Sequence, residues 1–158
     1  MHLVGLLLIL NSYFYPPIHF ATSTTIMEHK GSLEGLKLAF VGDGDNNVTH
    51  SLALGCAMVG MDFAVAAPTA ASMSPEISEK AREQAILSGS TVLETTDAFE
   101  AVAGADIIYT DTFVSMGDED KQDEILKKFD GFQVTAELMA AAKPDVNFMH
   151  DMPAYREV

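Results

Sequence analysis

Three short segments of this chain carry residue types able to grip a small molecule that bears both a carboxylate and an ammonium group. The first is Gly42-Asp43-Gly44-Asp45-Asn46-Asn47-Val48-Thr49-His50-Ser51, a glycine-punctuated turn that runs into two adjacent asparagines. An asparagine amide at a helix start donates hydrogen to a carboxylate, and the positive end of the helix dipole adds to the attraction. One of the pair is expected to serve as an N-cap, with Asn46 the candidate. The second segment is Asp111-Thr112-Phe113-Val114-Ser115-Met116-Gly117. Here an acid followed four residues later by a hydroxyl can hold an ammonium, while backbone N–H groups near the glycine stay free for a carboxylate. The third is His150-Asp151-Met152-Pro153-Ala154-Tyr155-Arg156, in which the histidine is a candidate hydrogen-bond donor. A dinucleotide loop is the competing reading of the first segment, but Gly-x-Gly-x-x-Gly needs glycine where the chain has Asn47.

Placing these segments side by side requires a particular scaffold. From Gly31 onward, short apolar runs alternate with longer helical patterns, the signature of strand-helix units and a parallel sheet. Strands are expected over 36–41, 63–67, 91–94, 107–110 and 147–149. Helices are expected from Asn46 to Gly60, from Pro75 to Leu87 behind a Ser74 cap, over 97–102, around 120–129 and around 136–142. Right-handed crossovers then give an α/β fold, a doubly wound, Rossmann-like parallel sheet of about five strands with helices on both faces. Ligands of such sheets sit at the carboxyl ends of the strands, and the three segments follow strands one, four and five.

Composition narrows the function classes. The 158 residues carry a formal net charge of −14, which repels phosphate backbones, and no Lys/Arg cluster offsets it locally, so nucleic-acid binding is set aside. The single cysteine, Cys56, lies in an apolar helical stretch and is expected to be a core residue rather than a nucleophile. The run Leu3–Leu10 is too short to span a bilayer, and the residues around it lack the basic start and small-residue cleavage site of a signal peptide. No membrane association is expected, and the cytoplasm is the expected compartment, with export or an organelle as the alternative left by the apolar N-terminus. Residues 1–24 are expected to be an atypical apolar lead-in outside the fold, and residues 25–158 the functional domain.

The run EHKGSLEGLKLAFVGDGDNNVTHSL, the DTFVSMG segment and the closing FMHDMPAYR together resemble the ornithine-binding domain of ornithine carbamoyltransferases, within the aspartate/ornithine carbamoyltransferase family. The resemblance covers roughly Thr25 to Arg156. It implies transfer of the carbamoyl group of carbamoyl phosphate to the side-chain amine of ornithine, giving citrulline and phosphate, with no metal or organic cofactor. It further implies that Asn47, with the Met116 backbone, binds the substrate carboxylate and that Asp111 and Ser115 hold the α-ammonium. His150 would sit on the carbamoyl oxygen with Asp151 beside it, and the Met152 carbonyl would orient the attacking amine. An amine attacks only when neutral, so the gain would come from holding its lone pair toward the carbamoyl carbon and from donors on the developing oxyanion.

Two departures from the family pattern carry expectations. Asp151 stands where the family has cysteine, placing a carboxylate beside a site for a dianionic donor. Like charges there should raise the Asp151 pKa or weaken donor binding, and so lower activity. The family's Ser-x-Arg-Thr and His-Pro-x-x-Gln motifs, which belong to its carbamoyl-phosphate domain, do not occur in these residues. The chain is therefore expected to meet carbamoyl phosphate only through another domain and to make no citrulline alone. The family's homotrimers are likewise not expected of this chain by itself. The alternatives are a non-catalytic amino-acid-binding or interaction module, and a carbamoyltransferase for another amine acceptor.

Overall fold

The computed structural model describes residues 16–114, 120, 122–152 and 154. It begins with α1 (Pro16–Lys30). The elements β1 (Lys37–Val41), α2 (Asn47–Val59), β2 (Asp62–Ala66), α3 (Pro75–Ser88) and β3 (Val92–Thr95) follow. The chain continues through α4 (Ala98–Val102), β4 (Ile107–Thr110), α5 (Gln122–Lys128), α6 (Ala136–Ala140) and β5 (Asn147–His150). The five strands form one parallel sheet in the order β3-β2-β1-β4-β5. The chain builds outward from β1 through β2 to β3 and then returns to β4, so the order reverses between β1 and β4. That switch point opens a crevice at the carboxyl ends of the strands, where doubly wound sheets hold their ligands.

Local chemistry sets the element ends. Asn46 caps α2 by accepting from the Thr49 N–H at 2.8 Å, and Gly60 closes the helix at φ 76°. Ser74 caps α3, with Pro75 in the first turn. Asp97 caps α4 by accepting from the Phe99 and Glu100 N–H groups. The expected elements agree with these to within one or two residues, with one consequence for function. β5 runs one residue longer than expected, so His150 is its last strand residue, paired with Thr110 of β4, and not the first residue of the loop.

The two faces of the sheet are unequal. Leu38, Phe40, Phe63 and Ile107 point to one side and form a bulky core with Ile26 of α1, Leu52 and Cys56 of α2, and Ile77 and Ala81 of α3. The alternate residues Ala39, Val41, Ala64, Ala66 and Ile108 point to the other, against Ala101 and Val102 of α4 and Leu138 of α6. Small residues on that face let the short α4 sit close to the strands. Fully burying each large side chain of the first face contributes about 1.5–3 kcal/mol. Cys56 is part of that core, and burial pushes its thiol up to about 12, as its expected core role requires.

The expected domain boundary after residue 24 falls inside α1. His19, Thr22 and Ile26 of this helix are all buried. The Thr22 hydroxyl pairs with Tyr109 of β4, and Lys30 ion-pairs with Asp145 at 2.9 Å just before β5. His19 packs directly on the backbone of α2 at Gly55, where a side-chain carbon would lie 2.4 Å from the imidazole Cγ. Residues 18–24 thus belong to a helix of the fold, with His19 and Thr22 buried. Their sequence, rich in Ser and Thr and without an apolar stripe, carries no local sign of this. Among the described residues, no helix is long and apolar enough to cross a membrane.

Candidate functional site

The carboxyl ends of β1, β4 and β5 converge at the switch point. Thr110, the last residue of β4, donates its hydroxyl to the Val41 carbonyl at 2.7 Å and so ties β4 to the end of β1. On the other side, the Asp151 N–H donates to the Thr110 carbonyl at 3.2 Å and continues the β4-β5 pairing by one residue. The loops that leave β1 and β4 touch each other as well. A side-chain carbon at Gly42 would stand 3.3 Å from the Phe113 ring and 3.6 Å from the Thr110 hydroxyl.

The loop from Gly42 to Asn46 is tightly held. The Asp43 carboxylate accepts from the Asp45 N–H at 2.9 Å, and the Gly44 N–H donates to the Ala71 carbonyl at 2.9 Å. A Cβ at Gly44 would fall 2.7 Å from that carbonyl oxygen and 2.9 Å from the Met73 nitrogen, so only glycine allows this approach. Asn46 is spent on its cap. Asn47, the first residue of α2, is exposed, and its side chain makes no hydrogen bond to the described residues. Its amide is therefore available at the positive end of a 13-residue helix. His50, one turn further on, has a buried Nε2 that lies 3.2 Å from Asp45 Oδ1 without hydrogen-bond geometry. Burial lowers its pKa, and the Asp45 and Asp43 carboxylates oppose that shift.

Asp111 sits in a pocket of about 250 Å³ walled by Thr110, Phe113, Val134, Phe148 and His150. Burial raises its pKa. The Asp151 and Asp43 carboxylates raise it further, while the Thr112 N–H, donating at 2.7 Å, and His150 pull it down. A half-buried carboxylate beside two others is a strong attractor for a cation, because an ammonium placed there relieves both the desolvation and the like-charge repulsion. The aromatic and aliphatic walls suit a methylene chain. Phe113 is fixed by stacking on Phe129, centroids 4.8 Å apart and 8° from parallel.

Of the residues expected from sequence, Asp111, His150 and Asp151 come together at this pocket and its rim. Asn47 stands at the start of α2, outside the pocket lining. The His150 Nδ1 is held against the Asp151 carbonyl, and its ring meets Phe148 edge-on at 6.5 Å. Met152 is exposed, outside the pocket lining. Ser115 and Met116 lie outside the described residues. Sequence reasoning missed Gln122, Gln133, Val134 and Phe148. Phe148 could have been found, since it precedes His150 by two on a strand and shares its face. Gln133 and Val134 come from the stretch between α5 and α6, which carries no motif. Among the described residues, no cluster of His, Cys, Asp or Glu is arranged to hold a metal ion.

Comparison with known proteins gives a consistent answer. Residues 34–158 match the family model for the aspartate/ornithine carbamoyltransferase Asp/Orn binding domain. The chain is 46% identical over 148 residues to the ornithine carbamoyltransferase of Bacillus subtilis (strain 168), a match covering 94% of this chain and 46% of that protein. It superposes on the ornithine carbamoyltransferase from Pyrococcus furiosus with TM-score 0.85 and 40% identity, covering 91% of this chain and 46% of the other. On the enzyme from Gloeobacter violaceus the TM-score is 0.81 at 41% identity, covering 91% and 47%. The chain thus spans about half the length of the relatives it matches. It belongs to the aspartate/ornithine carbamoyltransferase family, as the Asp/Orn binding domain of that family.

Proposed function

We propose that this chain is the ornithine-binding half of an ornithine carbamoyltransferase, holding the acceptor amino acid for carbamoyl transfer from carbamoyl phosphate to give citrulline, a step of arginine metabolism. The observation that supports this most directly is the half-buried Asp111 carboxylate in its apolar-walled pocket, with His150 on one side and the Asn47 amide at the start of α2, after the β1 loop. Asn47 takes the α-carboxylate, and Asp111, with Ser115, takes the α-ammonium. His150 donates to the carbamoyl oxygen as negative charge develops there, and the Met152 carbonyl aims the neutral side-chain amine at the carbamoyl carbon. Met116 contributes its backbone to the carboxylate end. Asp151 adds negative charge at the donor side and weakens binding of the phosphate dianion. Cations for that dianion come from outside the crevice, whose described charged residues Asp43, Asp111 and Asp151 are all acidic.

Titration of the isotopically labelled chain with L-ornithine, putrescine and L-aspartate, followed by amide chemical shifts, tests this reading. Saturable shifts at both Asn47 and Asp111 are expected with ornithine, and shifts confined to the Asp111 side are expected with putrescine, which lacks the carboxylate. No saturable response to ornithine, or an equal response to aspartate, sinks the proposal.

A further inference from the structure

The residues proposed to touch the acceptor do not explain how its two binding groups are kept in register. Asn47 belongs to α2, whereas Asp111 follows β4, and the Asp43–Asn46 loop alone connects the helix start to the sheet edge. Thr49 is placed to control that loop. It is fully buried in the first turn of α2. A threonine there ordinarily returns its hydroxyl to the carbonyl one turn back, but Thr49 reaches past it and donates to the Asp43 carbonyl at 2.6 Å. Its own N–H is held by the Asn46 side chain at 2.8 Å. The two bonds bracket the whole loop. One fixes the peptide that leaves Asp43, and the other fixes the residue immediately before Asn47.

The opposite side of the loop is pinned to backbone at the Ala71 carbonyl through Gly44. The loop thus has one wall it cannot cross and one side-chain tether. From this arrangement we infer that Thr49 is a positioning residue of the acceptor site, setting the Asn47 amide relative to Asp111 through its buried hydroxyl. The inference rests on the acceptor reading given above. It adds that carboxylate recognition depends on a side chain that never meets the ligand.

Thr49→Val and Thr49→Ser separate positioning from packing. Valine keeps the volume and removes the donor, leaving the Asp43 carbonyl without its buried partner, whereas serine keeps the hydroxyl. Two readouts on the full chain are needed: amide chemical shifts over residues 43–47 without ligand, and affinities for L-ornithine and putrescine. In Thr49→Val the loop amides should shift and ornithine affinity should fall about three- to tenfold. Putrescine affinity should stay within about twofold, and Thr49→Ser should restore both readouts. Unmoved loop amides in Thr49→Val, or an equal loss for both amines, overturns the inference. If the wild-type chain binds neither amine, the acceptor reading fails instead, and the ligand-free amide comparison still decides whether Thr49 holds the loop.

Discussion

Replacing Gly55 with alanine should destabilise the protein, and the sign of the effect is the informative part. Gly55 lies inside α2, where alanine is intrinsically favoured over glycine by about 1 kcal/mol. If nothing packed on this side of the helix, Gly55→Ala would therefore stabilise. A Cβ there would instead stand 2.0 Å from His19 Nδ1, 2.3 Å from Cε1 and 2.4 Å from Cγ. Because Cγ is the root of the ring, a rotation of the imidazole tip does not clear the clash, and α1 must move away from α2. Overpacking of this kind costs about 1–3 kcal/mol. The displacement also loosens the contacts of Thr22 with Tyr109 and of Lys30 with Asp145. After the helical gain is subtracted, a net loss of up to about 2 kcal/mol remains, which lowers Tm by up to roughly 8 °C in a chain of this size. Urea denaturation of wild type, Gly55→Ala, and Gly55→Ala combined with His19→Ala measures it. The double variant should recover part of the loss in Gly55→Ala, as neighbours that share one contact do. A Gly55→Ala protein more stable than wild type by the helical gain of about 1 kcal/mol would refute the packing of α1 on α2.

His19 also makes stability depend on pH. Burial lowers its pKa from 6.5 to about 4. The unfolded chain therefore takes up the proton more readily than the folded one, so its contribution is intact above about pH 6.5 and is lost as pH falls toward 4, by about 3 kcal/mol in all. His50 shifts in the same direction, so the comparison that isolates His19 is the pH 7 to pH 5 difference in wild type minus that in His19→Asn. Equal pH slopes in the two proteins would exclude the assignment. Asp106 is buried, binds Lys143 at 2.8 Å through both oxygens and accepts the Lys37 N–H at 2.9 Å. Asp106→Ala orphans that N–H and should cost about 2–3 kcal/mol in urea denaturation, reduced from the cost of a fully buried pair because Lys143 is half exposed and can be hydrated. Cys56, at 1% exposure and with its thiol pushed up to about 12, should resist a thiol reagent in the native protein at pH 8 and react only at the rate of unfolding. Rapid labelling under native conditions would place Cys56 outside the core.

Much of this protein was legible in its residues alone. The apolar runs at Leu38–Val41, Phe63–Ala66 and Ile107–Tyr109 mark strands, and Asn46, Ser74 and Asp97 mark helix starts. These signals act within one turn or one strand, so they read without knowledge of the rest of the chain. The parallel sheet follows from their alternation, and the positions of Asn47, Asp111 and His150 follow from the rule that such sheets use their carboxyl edges. Tertiary structure alone decided what depends on contacts between distant segments. The Thr110 hydroxyl reaches Val41 across 69 residues of sequence, and no local pattern announces that bond. The packing of His19 on Gly55 made part of a segment with no apolar stripe into a structural helix. Gln133, Val134 and Phe148 became walls of the Asp111 pocket because α6 and β5 fold back beside β4. Thr49 reads as an ordinary first-turn helix residue until the loop curls back to bring the Asp43 carbonyl over its hydroxyl. Periodicity and capping chemistry are short-range and survive in one dimension, whereas burial and the partner of a buried polar group exist only once the chain has closed on itself.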